Sequence, residues 1–178
     1  MVRYIRKLLS GHRESKSDKT KGALRSLSLM KIYTPETHEI VEEDWERPSI
    51  FLAGTIDMGN SIDWQTETFK RLADRDVNDF NPRRDGWDSS WVQREDNDQF
   101  RSQVEWELRH LRRADVVFVN ILPDSKSPIT LLELGLFIHK CVIVCPDEFY
   151  RSGNIHVTAK FFDTPYFKTY EEGFGYLN

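Results

Sequence analysis

Two glutamates carry the strongest chemical signal in the chain. Glu133 lies within Pro128-Ile-Thr-Leu-Leu-Glu-Leu-Gly-Leu-Phe-Ile138, with apolar side chains on almost every face. Such a helix reads as largely buried. A lone buried carboxylate is costly, so Glu133 needs either a neighbouring Arg or a function. Ser127 and Pro128 supply a cap and a first turn, and Gly135 removes a side chain two residues beyond the glutamate. Glu107 is the second candidate. Its helix presents Val104, Leu108 and Leu111 as the inward stripe, and Glu107 falls on or beside it. It is either a boundary residue with its head in water or a second site carboxylate. Two inward carboxylates on helices flanking one strand fit glycosyl chemistry, in which one attacks an anomeric carbon and the other assists proton transfer.

Other polar residues cluster at predicted strand ends. Gly54-Thr-Ile-Asp-Met-Gly59 follows the first apolar run and could bring Gly54 and Thr55 backbone N–H groups close to a ligand. Asp57 in that loop disfavours a bound phosphate. Asn81-Pro-Arg-Arg-Asp-Gly-Trp-Asp88 follows another strand end. There Arg83 and Arg84 are anion-binding candidates, and Trp87 or Trp91 can stack on a base. The competing reading is a loop pinned by buried Trp and by Arg–Asp pairs. The five histidines show no metal-ligand spacing, and no paired CxxC occurs, so neither a metal nor another cofactor is expected. Walker, dinucleotide and Gly-x-Ser-x-Gly signatures are also absent.

Alternating strands and helices must position these groups. Ser49–Ala53 reads as a buried strand. Gly59-Asn60-Ser61 reads as a turn and cap before a helix that places Ile62, Gln65, Phe69 and Leu72 on one side. Asp76–Phe80, Asp115–Ile121 and Cys141–Cys145 are further strands. Helices are expected over 97–113 and from Pro128 to about His139, and two short helices around a weak strand near Pro165–Phe167. This order implies a parallel sheet of about five strands with right-handed crossovers, in one three-layer α/β domain. Ligands then sit beyond the carboxyl ends of the strands.

Of the 178 residues, 39% are hydrophobic and 12% aromatic, which suits one globular domain. No apolar run is long enough to span a membrane. The net charge of −4 conceals a split: residues 1–31 carry +7 and the remainder −11. We therefore divide the chain into a basic leader and extended arm at 1–47 and a catalytic domain at 48–178. The acidic body argues against nucleic acid as a partner. Cys141 and Cys145 lie in one strand, about 13 Å apart at 3.3 Å per residue, beyond the roughly 7 Å that a disulfide spans. Reduced thiols and the lack of an apolar signal run point to the cytoplasm. The Arg- and Ser-bearing leader also allows organellar targeting.

Taken together, Ile50-Phe-Leu-Ala-Gly-Thr55, Asn81-Pro-Arg-Arg84, Gln103-Val-Glu-Trp-Glu107, Ala114-Asp115 and Ser127-Pro-Ile-Thr-Leu-Leu-Glu-Leu-Gly135 resemble the nucleoside 2-deoxyribosyltransferase-like family over about Ser49–Gly153. The resemblance implies a flavodoxin/Rossmann-like fold and a reaction through a glutamyl-sugar intermediate. It places Glu133 as nucleophile and Glu107 in acid–base assistance. It gives Gly54, Thr55, Asp57, Asn81, Arg83, Trp87, Gln103 and Ser127 as substrate contacts. Relatives often have Tyr where Phe51 stands and Asp where Glu107 stands. The implied partners are a nucleoside or nucleotide, a free nucleobase, and further copies of the chain, with the aromatics Phe149, Tyr150, Phe161, Phe162, Tyr166 and Phe167 compatible with self-association. An ionised nucleophile also requires hydrogen-bond donors near Glu133. The alternatives are a deoxynucleoside 5′-monophosphate N-hydrolase, cleavage of NAD-like dinucleotides, and a nucleoside-binding sensor without catalysis.

Overall fold

A computed structural model describes residues 30–37, 40, 45–57, 61–84 and 90–177. Six parallel strands form one sheet in the order β1-β3-β2-β4-β5-β6. The strands are β1 (Lys31–Tyr33), β2 (Ser49–Gly54), β3 (Asn78–Phe80), β4 (Val116–Asn120), β5 (Cys141–Val144) and β6 (Tyr166–Phe167). The helices are α1 (Trp64–Leu72), α2 (Asp98–Arg113), α3 (Pro128–Phe137), α4 (Ser152–Phe161) and α5 (Tyr170–Leu177). The sheet thus has one strand more than expected. That strand, β1, comes from the segment read as an extended arm, and it pairs with β3 ahead of residue 48. The expected leader itself lies outside the described residues. No described helix is long and apolar enough to cross a membrane.

β2 and β4 are buried almost throughout, as a strand covered on both faces must be. Alternation sends Phe51, Ala53, Val117 and Val119 into the core layer that holds Leu111 of α2, Leu134 of α3 and Ile155 of α4. Ile50, Leu52, Val116 and Phe118 face the other layer, with Trp64 and Leu72 of α1 and Phe174 of α5. β2 leads through α1 to β3 on one side, while β4 leads through α3 to β5 on the other. The connections therefore diverge between β2 and β4, where α/β sheets open a ligand crevice. Both cysteines are buried and free.

Three helix faces depart from the sequence reading. α1 starts later than expected. Asp63 caps it by accepting from Thr66 N at 3.0 Å, and the buried side is Trp64, Gln65, Thr68 and Leu72. Ile62 is 69% exposed. The expected cap at Gly59-Asn60 lies outside the described residues. α2 buries Gln103, His110 and Leu111, whereas Leu108 is exposed. Its inward stripe is polar because each group has a partner: Gln103 donates to Pro82 O at 3.1 Å, and His110 Nδ1 lies 2.7 Å from Trp106 O. The Trp106 and His110 rings stack with centroids 4.0 Å apart. α3 is not buried all round. Thr130, Glu133 and Leu134 face inward, while Ile129, Leu132 and Leu136 are exposed. The expected helix ends earlier, at Phe137, and a 3₁₀ turn over Ile138–Lys140 completes the connection.

Candidate active site

Hydroxyl groups cluster between the ends of β2 and β4, where the connections diverge. Thr55 follows β2 and is buried. Its Oγ1 lies 2.7 Å from Ser127 Oγ and 3.0 Å from Ser125 Oγ, and it accepts from Leu122 N at 3.0 Å. Ser125 and Ser127 Oγ are themselves 2.8 Å apart. Thr130 Oγ1 donates to Gly54 O at 2.9 Å. One hydroxyl cluster therefore ties the loop after β2 to the loop after β4 and to the start of α3. Ser127 stands at the expected cap position, but in a left-handed conformation (φ 42°, ψ 48°), and its hydroxyl makes no cap hydrogen bond. It is spent on Thr55 and Ser125 instead. That leaves α3 N–H groups at its first turn without side-chain capping by Ser127.

Glu133 lies one turn and a half into α3, on the inward side, 8% exposed. Burial pushes its carboxyl up to about 8, and the charge of Glu107 pushes in the same direction. Burial likewise pushes Glu107 up to about 7, opposed by a hydrogen bond from Gln103. Gln103 Nε2 donates to Glu107 Oε1 at 2.8 Å. The charge of Glu107 on α2 thus reaches Glu133 on α3. The donors expected around Glu133 are absent among the described residues, because α3 offers Leu, Ile and Thr side chains and Thr130 is committed to Gly54. The ion pair with an Arg is absent there as well. Phe51, fully buried with its ring 6.2 Å from that of Trp106, has no hydroxyl to offer.

The remaining candidates divide. Gly54 is explained by packing: at φ 148° an added Cβ would meet Asn120 O at 2.1 Å and the Trp64 ring at 2.8 Å. Asp57 is exposed in a left-handed conformation, φ 48°. Asn81 Oδ1 accepts from Arg83 N at 3.0 Å and so shapes the loop after β3. Arg83 points across to the β2–α1 loop, donating to Ser61 O at 3.2 Å, with Asp63 at 3.9 Å. Arg84 pairs with Glu36 at 3.2 Å and lies over the Trp91 ring. These arginines are held by the protein's own groups, in accord with the loop-pinning reading. Trp87 lies outside the described residues. Ser125 and Thr130 join the hydroxyl contacts between the loop after β2, the loop after β4 and α3, and the sequence reading did not include them. Ser125 in the loop after a predicted strand was the signal for the first; Thr130, inside a predicted helix, gave none.

No group of three or more His, Cys, Asp or Glu placed to hold a metal occurs among the described residues. No curated protein matches the chain. The family model described as "Nucleoside 2-deoxyribosyltransferase like" matches residues 47–149, a stretch that includes β2, the hydroxyl cluster, Glu107 and Glu133. That match spans more than half of the sequence, and the chain belongs to the nucleoside 2-deoxyribosyltransferase-like family.

Proposed function

We propose that the protein cleaves the N-glycosidic bond of a nucleoside and transfers the sugar, a 2-deoxyribosyl group above all, by double displacement. One observation carries this reading: Glu133, buried on α3, and Glu107, half-buried on α2, lie close enough for the Glu107 charge to push Glu133 up. Two carboxyls this close disfavour double ionisation, so the pair holds one proton, and attack uses the form in which Glu107 carries it although burial pushes Glu133 the higher of the two. In the first step Glu133 forms a bond to C1′ while the C1′–N bond breaks. The electron pair leaves on the base nitrogen, which takes the proton from Glu107. In the second step a nitrogen of another base, or water, attacks C1′, gives its proton to the Glu107 carboxylate and releases Glu133, so configuration is retained. Gln103 acts as a positioning residue for Glu107. Ser127 and Thr55 fix the loop ahead of α3, the helix that carries Glu133.

A neutral nucleoside fits better than its 5′-phosphate. The three hydroxyls of the cluster are bonded to one another, Arg83 is engaged by Ser61, and Asp57 adds negative charge to the adjoining loop. The absence of a described donor on Glu133 favours a second reading, nucleoside binding without turnover. Incubation with a panel of deoxynucleosides, ribonucleosides and their 5′-phosphates, with and without an acceptor base, separates these by chromatography of released base. Base release by the wild-type chain and none by Glu133→Ala is the expected result. Equal release by both sinks the assignment, and tight binding with no release over hours selects the second reading.

The same reading includes self-association. Ile129, Leu132 and Leu136 form an exposed apolar row at helical spacing on the outer side of α3. A second copy of the chain is the proposed cover. Of the aromatics expected to serve there, Phe149 is buried in the core, while Tyr150, Phe161 and Phe162 are exposed. Leu132→Glu is expected to lower the mass measured by light scattering. An unchanged mass rejects this surface.

A further inference from the structure

A cavity of about 400 Å³ opens on the other side of the sheet from Glu133 and Glu107. It lies beyond the ends of β4 and β5, between α1 and the start of α5, and has the volume of a small-ligand pocket. Its walls include Trp64, Val144, Pro146 and Tyr170. The polar ends of both aromatics are already used: Trp64 Nε1 donates to Thr55 O at 2.9 Å, and the Tyr170 hydroxyl lies 2.8 Å from Thr68 Oγ1. Both rings therefore present apolar surface rather than hydrogen-bonding groups.

Asn120 supplies what the walls lack. It ends β4 opposite Val144, on the face that also holds Phe118. Asn120 lines this cavity and is 4% exposed, and its amide is not among the buried polar groups shut off from both solvent and partners. A ligand in the cavity can therefore reach it, in place of the water that otherwise meets it there. The amide offers one acceptor and two donors in a plane, the arrangement that pairs with adjacent donor and acceptor atoms on a heterocycle. Charge at the mouth excludes anions. Asp63 and Glu67 stand on one side, and Lys168 on the other is already paired with Asp147 at 2.6 Å.

We propose that this cavity is a second ligand site for an uncharged planar heterocycle, held edge-on by Asn120 and packed against Trp64 and Tyr170. The site is independent of the catalytic reading, since it shares no side chain with the carboxyl pair.

The test uses the full chain labelled with ¹⁵N and adenine as probe, read on the side-chain amide signal of Asn120. That signal is assigned by its loss in Asn120→Leu. Saturable shifts of the Asn120 signal are expected in wild type and, with the same affinity, in Glu133→Gln. Calorimetry is expected to show this component weakened roughly tenfold or more in Asn120→Leu. Should Asn120→Leu fail to fold, Ile62→Trp carries the test, because Ile62 is exposed at the cavity mouth and an indole there obstructs entry. The proposal is overturned if adenine leaves the Asn120 signal unmoved at millimolar concentration. It is also overturned if Ile62→Trp binds adenine as the wild type does, or if Glu133→Gln abolishes the shifts.

Discussion

Buried carboxyls occur on both sides of this sheet, and they differ in what surrounds them. Glu133 and Glu107 lie on neighbouring helices, the Glu107 charge pushes Glu133 up, and Gln103 donates to Glu107. Asp79 sits in the middle of β3, fully buried, with neither carboxyl oxygen bonded to any described group. It pairs in register with Ile50, whose side chain faces the layer under α1. Burial alone pushes Asp79 up to about 8, as high as Glu133. A raised value is therefore no signature of a site by itself. What separates the two regions is a second ionisable group close by, next to the point between β2 and β4 where the connections diverge.

Replacing one carboxyl from each region breaks the comparison open. Glu133→Gln keeps shape and removes the nucleophile, so base release is expected to fall by roughly 10³-fold or more, measured by chromatography. The fold survives, because a neutral amide replaces a group that burial already disfavours when charged. A thermal melt checks this. Asp79→Asn has the opposite profile, with activity retained and stability raised at alkaline pH.

The sign follows from the position of its proton. Folded Asp79 titrates near 8, against an ordinary value of 3.8. Its contribution to stability is thus fully present below about pH 4 and is lost as pH rises through about 8. The wild type is expected to lose stability over that window, by an amount on the order of several kcal/mol for an isolated buried carboxylate. Asp79→Asn is expected to make that decline shallower by its own share, leaving the part due to Glu133 and Glu107, which burial also pushes up. Urea unfolding at pH 5 and pH 9 reads the difference. A decline of equal steepness in the variant shows that Asp79 is not the group responsible.

Thr55→Val probes the hydroxyl cluster that neither carboxyl region contains. The substitution leaves Leu122 N without its acceptor and strips Ser125 and Ser127 of a shared partner. A loss of about 1–3 kcal/mol is expected for one buried donor left unsatisfied, seen as a lower urea midpoint with unchanged slope. Since the cluster fixes the loop ahead of Glu133, KM is expected to rise more than kcat falls. The reverse pattern places Thr55 in direct contact with the reacting atoms.

Strand order was legible because β2, β4 and β5 are short apolar runs bounded by turn residues, each buried on both faces. β1 was not, because three residues of Lys-Ile-Tyr beside Pro35 carry no period, and only pairing with β3 makes them a strand. Glu133 was legible from a charge set in an apolar helix. The true inner face of α2 was not, since Gln103 and His110 look like surface residues until their partners at Pro82 and Trp106 are seen. The partner of Arg83 was hidden for the same reason, since Ser61 is 22 residues away in sequence. Asp79 gave no sign, because one acid in a three-residue strand resembles an edge.

The smallest effect tests the coupling itself. The nearby Glu107 charge contributes to the elevation of Glu133, second to burial. Glu107→Gln removes that charge and preserves volume, so Glu133 becomes easier to ionise. If Glu133 attacks as a carboxylate, kcat/KM rises with pH through its titration, and the rising limb is expected to move to lower pH in the variant, by on the order of one unit or less. The rate at the plateau falls as well, because an amide donates no proton to the leaving base. Asp79→Asn, on the other face of the sheet, leaves the limb where it stands. A limb unmoved by Glu107→Gln shows that the two carboxyls do not titrate together, and Glu133 is then no more a site residue, on electrostatic grounds, than Asp79.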